Sequence, residues 1–318
     1  MIIPLGGDRF TQVDADLAAA FRPGDRLYFV QDTGALLHVP APVHQVVTEQ
    51  VDAAAKAFEQ LRSTEREKIR DFYRLFAANL VASWPQIMAA NEDDKQRAKA
   101  AGRSTTRLVI SEKVRDEMVA GLEGWAELIE RELTGGSSQE INRVDHGDWN
   151  VSVVTAPLGV IGFVFEGRPN VFADAAGVLA TGNTAALRIG SDALATAQAI
   201  CETSLDPALQ EAGLPVGTIS LIPVRERSAG WALFSDRRLS LAVVRGSGRA
   251  VAELSAVARQ SGIPVSAHGT GGAWMVADSS ADPARFSAAV KHSLDRKVCN
   301  TLNVAIITAD RAAELIPV

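Results

Sequence analysis

The chain has 318 residues, of which 47% are hydrophobic and 22% charged, and its formal net charge is −6 at pH 7. This length is enough for two domains with separate cores, and the composition is that of an ordinary globular protein. The mildly acidic balance gives no electrostatic reason to expect nucleic acid or an anionic membrane as a partner.

Two cysteines, Cys201 and Cys299, do not form a disulfide framework. The first eight residues lack a basic region followed by an apolar run, so we expect no secretory leader. No apolar run in the sequence approaches membrane-spanning length. We therefore expect a cytoplasmic protein, because a free thiolate persists in that reducing compartment.

Residues 1–45 differ from the rest in their pattern of apolar and turn-forming residues, and we predict that they form an amino-terminal extension. Two β-favouring runs, 26–30 and 35–39, flank the turn-rich segment 31–34, which predicts a β-hairpin. From 46 to 133 the apolar residues recur at helical spacing. Thr64 and Glu67 stand at the spacing of a capping box for one of these helices.

Beyond residue 148, short apolar runs alternate with alanine-rich amphipathic segments. This alternation predicts a mostly parallel sheet with helices on both faces. The predicted strands are 151–156, 160–165, 184–188, 218–223, 239–244 and 263–265, and the predicted helices lie near 170–180, 191–203 and 248–259.

Gly246, Ser247 and Gly248 stand between a predicted strand and a predicted helix. Backbone amides at such a junction suit a cofactor phosphate or ribose, since the helix dipole lies behind them. A tight strand-to-helix turn without a ligand is the alternative. The three spaced glycines of a dinucleotide fingerprint are absent from the first strand, so an ordinary Rossmann dehydrogenase is not supported.

Cys299 follows Arg296 and Lys297, two cations that could stabilise a thiolate and make it a nucleophile. A small buried hydrophobe is the alternative for Cys299, and core packing is favoured for Cys201. The five histidines show no metal spacing, and His268 is interpreted as structural. No Gly-x-Ser-x-Gly elbow is present, so a Ser-His-Asp triad is rejected.

The run Pro157 to Val171, with Glu166-Gly167-Arg168-Pro169-Asn170 at its end, resembles the signature of the glutamate-5-semialdehyde dehydrogenase (γ-glutamyl phosphate reductase) family. That family belongs to the aldehyde dehydrogenase superfamily, and Glu-x-Arg-Pro-Asn replaces the Pro-Trp-Asn of ordinary members. The resemblance covers about 50–318. Further matching segments are 90–94, 101–102, 107–108, 181–188, 213–215, 245–248, 263–265 and 298–301.

The resemblance implies an aldehyde dehydrogenase-like α/β fold, with a parallel-sheet cofactor domain and the start of an α/β catalytic domain. Residues 46–267 would form the helical lead-in and the NAD(P)-binding domain. Residues 268–318 would form a catalytic domain that is truncated here, because members of the family continue well beyond the cysteine. Residues 1–45 have no recognised counterpart.

The implied reaction is the NADP-dependent reduction of L-glutamyl 5-phosphate to glutamate-5-semialdehyde, as in proline biosynthesis. Cys299 would attack the acyl carbon and form a thioester, and Asn170 would stabilise the oxyanion. Arg168 and Asn300 would bind substrate; a structural ion pair is the alternative for Arg168. The cofactor-binding residues would be Arg188, Ser191, Gly246, Ser247 and Gly248.

Two departures bear on this interpretation. Ordinary aldehyde dehydrogenases activate water with a glutamate, whereas the comparable loop here, 269–272, has no carboxylate, which favours the phosphate-exchanging branch. The lysine that the family usually carries after Arg188 is missing, so NAD remains possible beside NADP. The alternatives are an aldehyde dehydrogenase or acylating relative, or a non-catalytic interaction protein. We expect a small-molecule acyl phosphate or semialdehyde as partner, and a homo-oligomer for a full-length chain.

Overall fold

The structure is a computed structural model that describes residues 2–6, 9–136, 140–168, 170–269, 271–294 and 301–316. The strands are β1 (Ile2–Gly6), β2 (Arg9–Gln12), β3 (Arg26–Val30), β4 (Ala35–Val39), β5 (Glu140–Asp145), β6 (Asn150–Val154), β7 (Val160–Phe165), β8 (Thr184–Ile189), β9 (Ile219–Leu221), β10 (Leu239–Arg245), β11 (Val265–His268), β12 (Ala273–Ala277) and β13 (Leu302–Ile307). The helices are α1 (Ala15–Ala20), α2 (Ala41–Leu61), α3 (Arg66–Ala82), α4 (Trp84–Ala100), α5 (Glu112–Arg131), α6 (Val171–Ala176), α7 (Leu194–Ile200), α8 (Asp206–Glu211), α9 (Ser228–Phe234), α10 (Gly248–Gln260), α11 (Pro283–Ser293) and α12 (Ala312–Leu315).

A five-stranded parallel sheet in the order β11-β10-β7-β8-β9 forms the centre of the molecule. Every residue of β7 and β8 is buried, as expected for strands that helices cover on both faces. The predicted parallel sheet is therefore confirmed, and its parallel pairing brings the carboxyl ends of all five strands to one edge.

Successive residues of β7 enter two different hydrophobic cores, because side chains of a strand alternate between the faces of a sheet. Ile161, Phe163 and Phe165 pack with helices α3 to α8. Val160 and Val164 pack with α2, α9 and α10. The sheet thus separates two helical layers, and the open place for a ligand is the edge where the strands end.

The predicted hairpin is confirmed as β3 and β4, which pair antiparallel in register from Arg26 opposite Val39 to Val30 opposite Ala35. Val30 and Val39 are fully buried in the core that α2, α9 and α10 share. The hairpin therefore packs directly on the sheet domain. The boundary predicted between residues 45 and 46 falls within α2, which begins at Ala41.

Two local predictions are wrong. The strand predicted at 151–156 is confirmed as β6, but its predicted place in the parallel sheet is wrong, because it pairs antiparallel with β5 in a separate two-stranded ribbon. An alternating apolar pattern identifies a strand but not its partner, and β5 has too few apolar residues to be predicted as a strand. The predicted capping box does not form either, because the Thr64 hydroxyl donates to the Gln60 carbonyl at 3.3 Å, and α3 begins after Glu65.

Beyond the central sheet, β12 and β13 form a separate parallel pair. Within the described residues, no helix combines the length and the apolar character that crossing a membrane requires.

Candidate functional site

The carboxyl ends of β7, β10 and β11 open onto a cavity of about 690 Å³, which we call the edge cavity. Phe165, Arg245 and His268 are the last residues of these strands, and all three line it. Crevices at the carboxyl edge of an open parallel sheet are the usual ligand sites of such folds. The other lining residues are Arg107, Glu166, Arg168, Asn170, Val171, Asp174, Gly246, Ser247, Gly269, Gly271, Thr301, Leu302 and Asn303.

A second cavity of about 530 Å³ lies along α5 and α6, and we call it the helix cavity. Asn170 and Asp174 line both cavities. Asn170 immediately precedes α6, and Asp174 stands four residues further on, so one helical turn separates them. A ligand that touches both side chains can extend from one cavity into the other.

The Glu166 carboxylate lies beside the amino terminus of α10, a 13-residue helix that begins directly after Ser247. Burial alone would raise the pKa of its carboxyl, but the N–H and hydroxyl of Ser247 and the Arg107 guanidinium outweigh it and lower that pKa. Nη1 of Arg107 lies 2.9 Å from Oε2 of Glu166. The hydrogen-bond donors at this helix terminus therefore already bind an anion, which is the Glu166 carboxylate of the same chain.

Two glycines allow this arrangement because their neighbours leave no room for a side chain. A Cβ at Gly246 would lie 2.8 Å from Cγ of Glu166. A Cβ at Gly190 would lie 2.7 Å from the backbone nitrogen of Gly167. The loop after β7 thus passes directly against the ends of β8 and β10, which places residues 166–168 beside the edge cavity.

Arg245 connects two parts of the edge cavity. Its Nη1 lies 3.0 Å from Oδ2 of Asp174, and its carbonyl accepts a hydrogen bond from the N–H of Glu166. Both side chains of the pair are about half-exposed. Arg168 also lines the cavity and is exposed, and it has no ion-pair or hydrogen-bond partner within the described part of the chain. Its guanidinium is available to an anionic ligand.

The structure brings four of the predicted site residues together, since Arg168, Asn170, Gly246 and Ser247 line the edge cavity. Gly248 begins α10 next to them. Cys299 and Asn300 lie outside the described residues. Thr301, two positions after Cys299 in the sequence, lines the same cavity.

Arg188 and Ser191 lie elsewhere, at the carboxyl end of β8. Burial lowers the pKa of Arg188, whose Nη2 donates to the carbonyls of Arg225 and Glu226 at 3.3 and 3.5 Å. Its buried Nε has no partner among the residues that the structure describes. The Ser191 carbonyl accepts a hydrogen bond from Arg225 at 2.9 Å. Both residues thus contact the segment after β9.

The predictions from sequence missed the two ion pairs of the site. Arg107 and Arg245 belong to segments that resemble the family but carry no predicted role, and no motif marks Asp174. Position provided a signal in two cases, because Arg245 ends a buried strand and Asp174 follows Asn170 by one helical turn. Cys201 is buried, as predicted, and burial raises its pKa. The described residues contain no group of three His, Cys, Asp or Glu side chains that could hold a metal ion.

Comparisons with known proteins agree with this architecture. The model of the aldehyde dehydrogenase family matches residues 31–317, so the match begins inside the segment 1–45 that lacked a recognised counterpart. Gamma-glutamyl phosphate reductase from Afipia carboxidovorans is 34% identical over 74% of this chain and 55% of its own length. The protein of that name from Meiothermus ruber is 33% identical over 83% of this chain and 63% of its own length.

Among solved structures, gamma-glutamyl phosphate reductase from Thermotoga maritima aligns with a TM-score of 0.71 at 25% identity. The alignment covers 85% of this chain and 65% of that one. The chain therefore spans between about half and two thirds of the length of these relatives.

Proposed function

Because this chain belongs to the aldehyde dehydrogenase family, we propose that it carries the chemistry of NADP-dependent reduction of L-glutamyl 5-phosphate to glutamate-5-semialdehyde and phosphate. Relatives that are identical to this chain at about a third of the aligned positions bear the name gamma-glutamyl phosphate reductase. The observation that carries the proposal is the convergence of Arg168, Asn170 and Ser247 on one cavity at the carboxyl edge of the sheet.

The residues at the start of α10 suit a dinucleotide phosphate. The amide and hydroxyl of Ser247 already interact with a carboxylate, so their donors point where an anion binds. Gly246 leaves room for the Glu166 side chain beside these donors, and α10 begins at Gly248 directly behind them. Arg188 and Ser191 would hold the ribose end of the cofactor, NADP or NAD. A bound nicotinamide would supply the hydride that reduces the acyl group.

The remaining chemistry belongs to side chains. The Cys299 thiolate would attack the acyl carbon, forming a carbon–sulfur bond while the carbon–oxygen bond to phosphate breaks, and this leaves a thioester and free phosphate. The Asn170 amide would donate a hydrogen bond to the acyl oxygen as its negative charge develops. Loss of one such donor typically costs about 3 kcal/mol of transition-state stabilisation.

Arg168 would bind the substrate phosphate, because its planar guanidinium matches an oxyanion and is not engaged by a described residue. The loop 269–272 contributes no carboxylate, and two of its glycines, Gly269 and Gly271, line the cavity. This loop therefore supplies no side-chain base that would activate water against a thioester. Exchange with phosphate is therefore favoured over hydrolysis.

The test is the reverse reaction with the purified chain. We expect NADPH to form from glutamate-5-semialdehyde and NADP+ when phosphate is present, and we expect Cys299→Ala to abolish it. Cys201→Ala is the matched control, because this second thiol is buried in the core. Equal NADPH formation by the Cys299→Ala variant would refute the nucleophile. Support by coenzyme A instead of phosphate would indicate an acylating relative.

A further inference from the structure

We propose that the Asp174–Arg245 ion pair recognises the α-ammonium and α-carboxylate of an amino-acid substrate, and so selects an amino-acid acyl phosphate or semialdehyde over an analogue without the amine. This inference rests on the proposed function, since it names the residues that bind the distal end of the same substrate. Asp174 would accept hydrogen bonds from the ammonium, and Arg245 would donate to the carboxylate.

The position of the pair suits this role. Asp174 lines both cavities, as Asn170 does, and Arg245 lines the edge cavity beside them. Side chains four residues apart on a helix have Cβ atoms about 5–6 Å apart. In a γ-glutamyl group, five bonds separate the acyl oxygen from the α-nitrogen, and their extended span is of similar size. A ligand whose acyl oxygen meets Asn170 can therefore present its α-carbon to Asp174.

The charges match a zwitterion. Oδ2 of Asp174 and Nη1 of Arg245 are 3.0 Å apart, so a negative and a positive group stand next to each other. An α-amino acid carries its ammonium and its carboxylate on one carbon. When these two groups lie antiparallel to the ion pair, the ammonium faces Asp174 and the carboxylate faces Arg245. Ion pairs that are about half-exposed contribute little to stability, so this pair can rearrange around a ligand at small cost.

The other charged side chains that line the edge cavity have different partners or a different proposed role. Glu166 is engaged by Arg107 and by Ser247 at the start of α10. Arg168 has no partner within the described residues and stands two positions before Asn170 in the sequence, where a phosphate on the acyl carbon needs a cation. The Asp174–Arg245 pair therefore remains to bind the α-ammonium and α-carboxylate at the far end of the substrate.

The experiment compares binding of L-glutamate and of glutarate, which lacks the α-ammonium, by titration calorimetry. We expect the wild-type chain to bind L-glutamate about tenfold more tightly than glutarate, which is the effect of one charge-assisted contact. Asp174→Asn should bring this ratio close to one while glutarate affinity stays similar. Arg245→Gln should weaken both ligands. Asp71→Asn is the matched control, because Asp71 is a half-exposed partner of Arg70 that lines neither cavity.

Each result is decisive once thermal melts show that the variants fold like the wild type. A preference that survives in Asp174→Asn, or a wild-type chain that binds neither ligand, overturns the inference. Asp174→Glu keeps the charge and should keep part of the preference.

Failure of the inference is distinguishable from failure of the proposed function. If NADPH forms equally well from glutamate-5-semialdehyde and from 5-oxopentanoate, the inference fails and the reductase stands. If the Asp174-dependent preference is present but phosphate supports no NADPH formation, the inference stands and the proposed reaction fails.

Discussion

Nη1 of Arg107 lies 2.9 Å from Oε2 of Glu166, and this pair sits over the first turn of α10. Arg107 comes from the loop between α4 and α5, whereas Glu166 follows the last residue of β7. The carboxylate therefore occupies donors at a helix amino terminus that would otherwise favour an external anion. A cofactor phosphate that binds there must displace the Glu166 carboxylate or lie beside it.

Glu166→Gln should therefore tighten NADPH binding by about threefold to tenfold, since it removes a competing negative charge from the place proposed for the cofactor phosphate. The pKa of Glu166 lies below its ordinary value of 4.5, so the carboxylate stays ionised well below neutrality. The difference between wild type and variant should consequently persist from about pH 8 to about pH 5. Fluorescence titration with NADPH across this range measures it.

The control for this change is Glu130→Gln, because Glu130 pairs with two arginines but lines neither cavity. It should leave NADPH affinity unchanged. If Glu166→Gln weakens NADPH binding, Glu166 contacts the cofactor favourably and does not compete with its phosphate for the donors at the start of α10.

Arg168→Gln should reduce the affinity for inorganic phosphate by about tenfold or more, since it removes an exposed guanidinium without a described partner from the edge cavity. The KM for phosphate in the reverse reaction measures the effect. Arg74→Gln changes an equally charged but distant residue that is paired with Glu130, and it should leave that KM unchanged. An unaltered KM in Arg168→Gln would assign Arg168 to another role.

Local patterns determine most of the sheet domain, which is why it could be predicted. The buried runs of β7 and β8 alternate with helices, and parallel pairing follows from that order. The partner of β6 could not be predicted, because its antiparallel pairing depends on the polar strand β5. Pairing between strands is a long-range property that a short window of sequence does not contain.

The site was predictable only where a motif marked it. Asn170 and Ser247 belong to motifs that adjoin strand ends, and the structure places both at the edge cavity. Arg107 and Glu166 are 59 residues apart in the sequence, and their pairing depends on how α4 and α5 pack against the sheet. No spacing rule covers such a contact.

Asp94→Ala should destabilise the fold by about 2–4 kcal/mol, because it leaves buried donors unsatisfied. Oδ2 of Asp94 accepts from the N–H and the hydroxyl of Thr196 at 2.7 and 2.8 Å, which ties α4 to α7. Urea unfolding measures the loss. Asp93→Ala, at the exposed neighbouring position, should change the free energy of unfolding by less than about 0.5 kcal/mol. Similar losses for both variants would contradict this explanation.

Asp25→Asn should lower the melting temperature at pH 7, and the difference from wild type should close in acid. Hydrogen bonding with His38 is the largest cause that holds the pKa of Asp25 below 3.8, followed by the N–H groups of Ala41 and Arg22. A depressed pKa gives stability that is present above the unfolded-state pKa and is lost as pH falls through the folded-state pKa.

The acid limb of the stability curve should therefore be flatter in Asp25→Asn below about pH 4. Melts between pH 7 and pH 3 test this, with Asp32→Asn in the exposed hairpin turn as the control. A melting-temperature difference that stays constant down to pH 3 would show that the ionised carboxylate of Asp25 is not the cause.

Gly190→Ala should both destabilise the chain and weaken NADPH binding. The backbone of Gly190 has a φ of −56°, which any residue adopts, so the expected effect is purely steric. The added Cβ would lie 2.7 Å from the Gly167 nitrogen and push the loop that carries Glu166 and Arg168. Overpacking of this kind costs about 1–3 kcal/mol.

Gly124→Ala provides the matched control, because Gly124 lies within α5 and a Cβ there would meet no atom within 4 Å. It should stabilise the chain by about 0.5–1 kcal/mol, since alanine favours a helix more than glycine does. Urea unfolding and NADPH titration of both variants separate the effects. If Gly190→Ala binds NADPH as the wild type does, the loop after β7 tolerates displacement and its close contact with Gly190 does not shape the cofactor site.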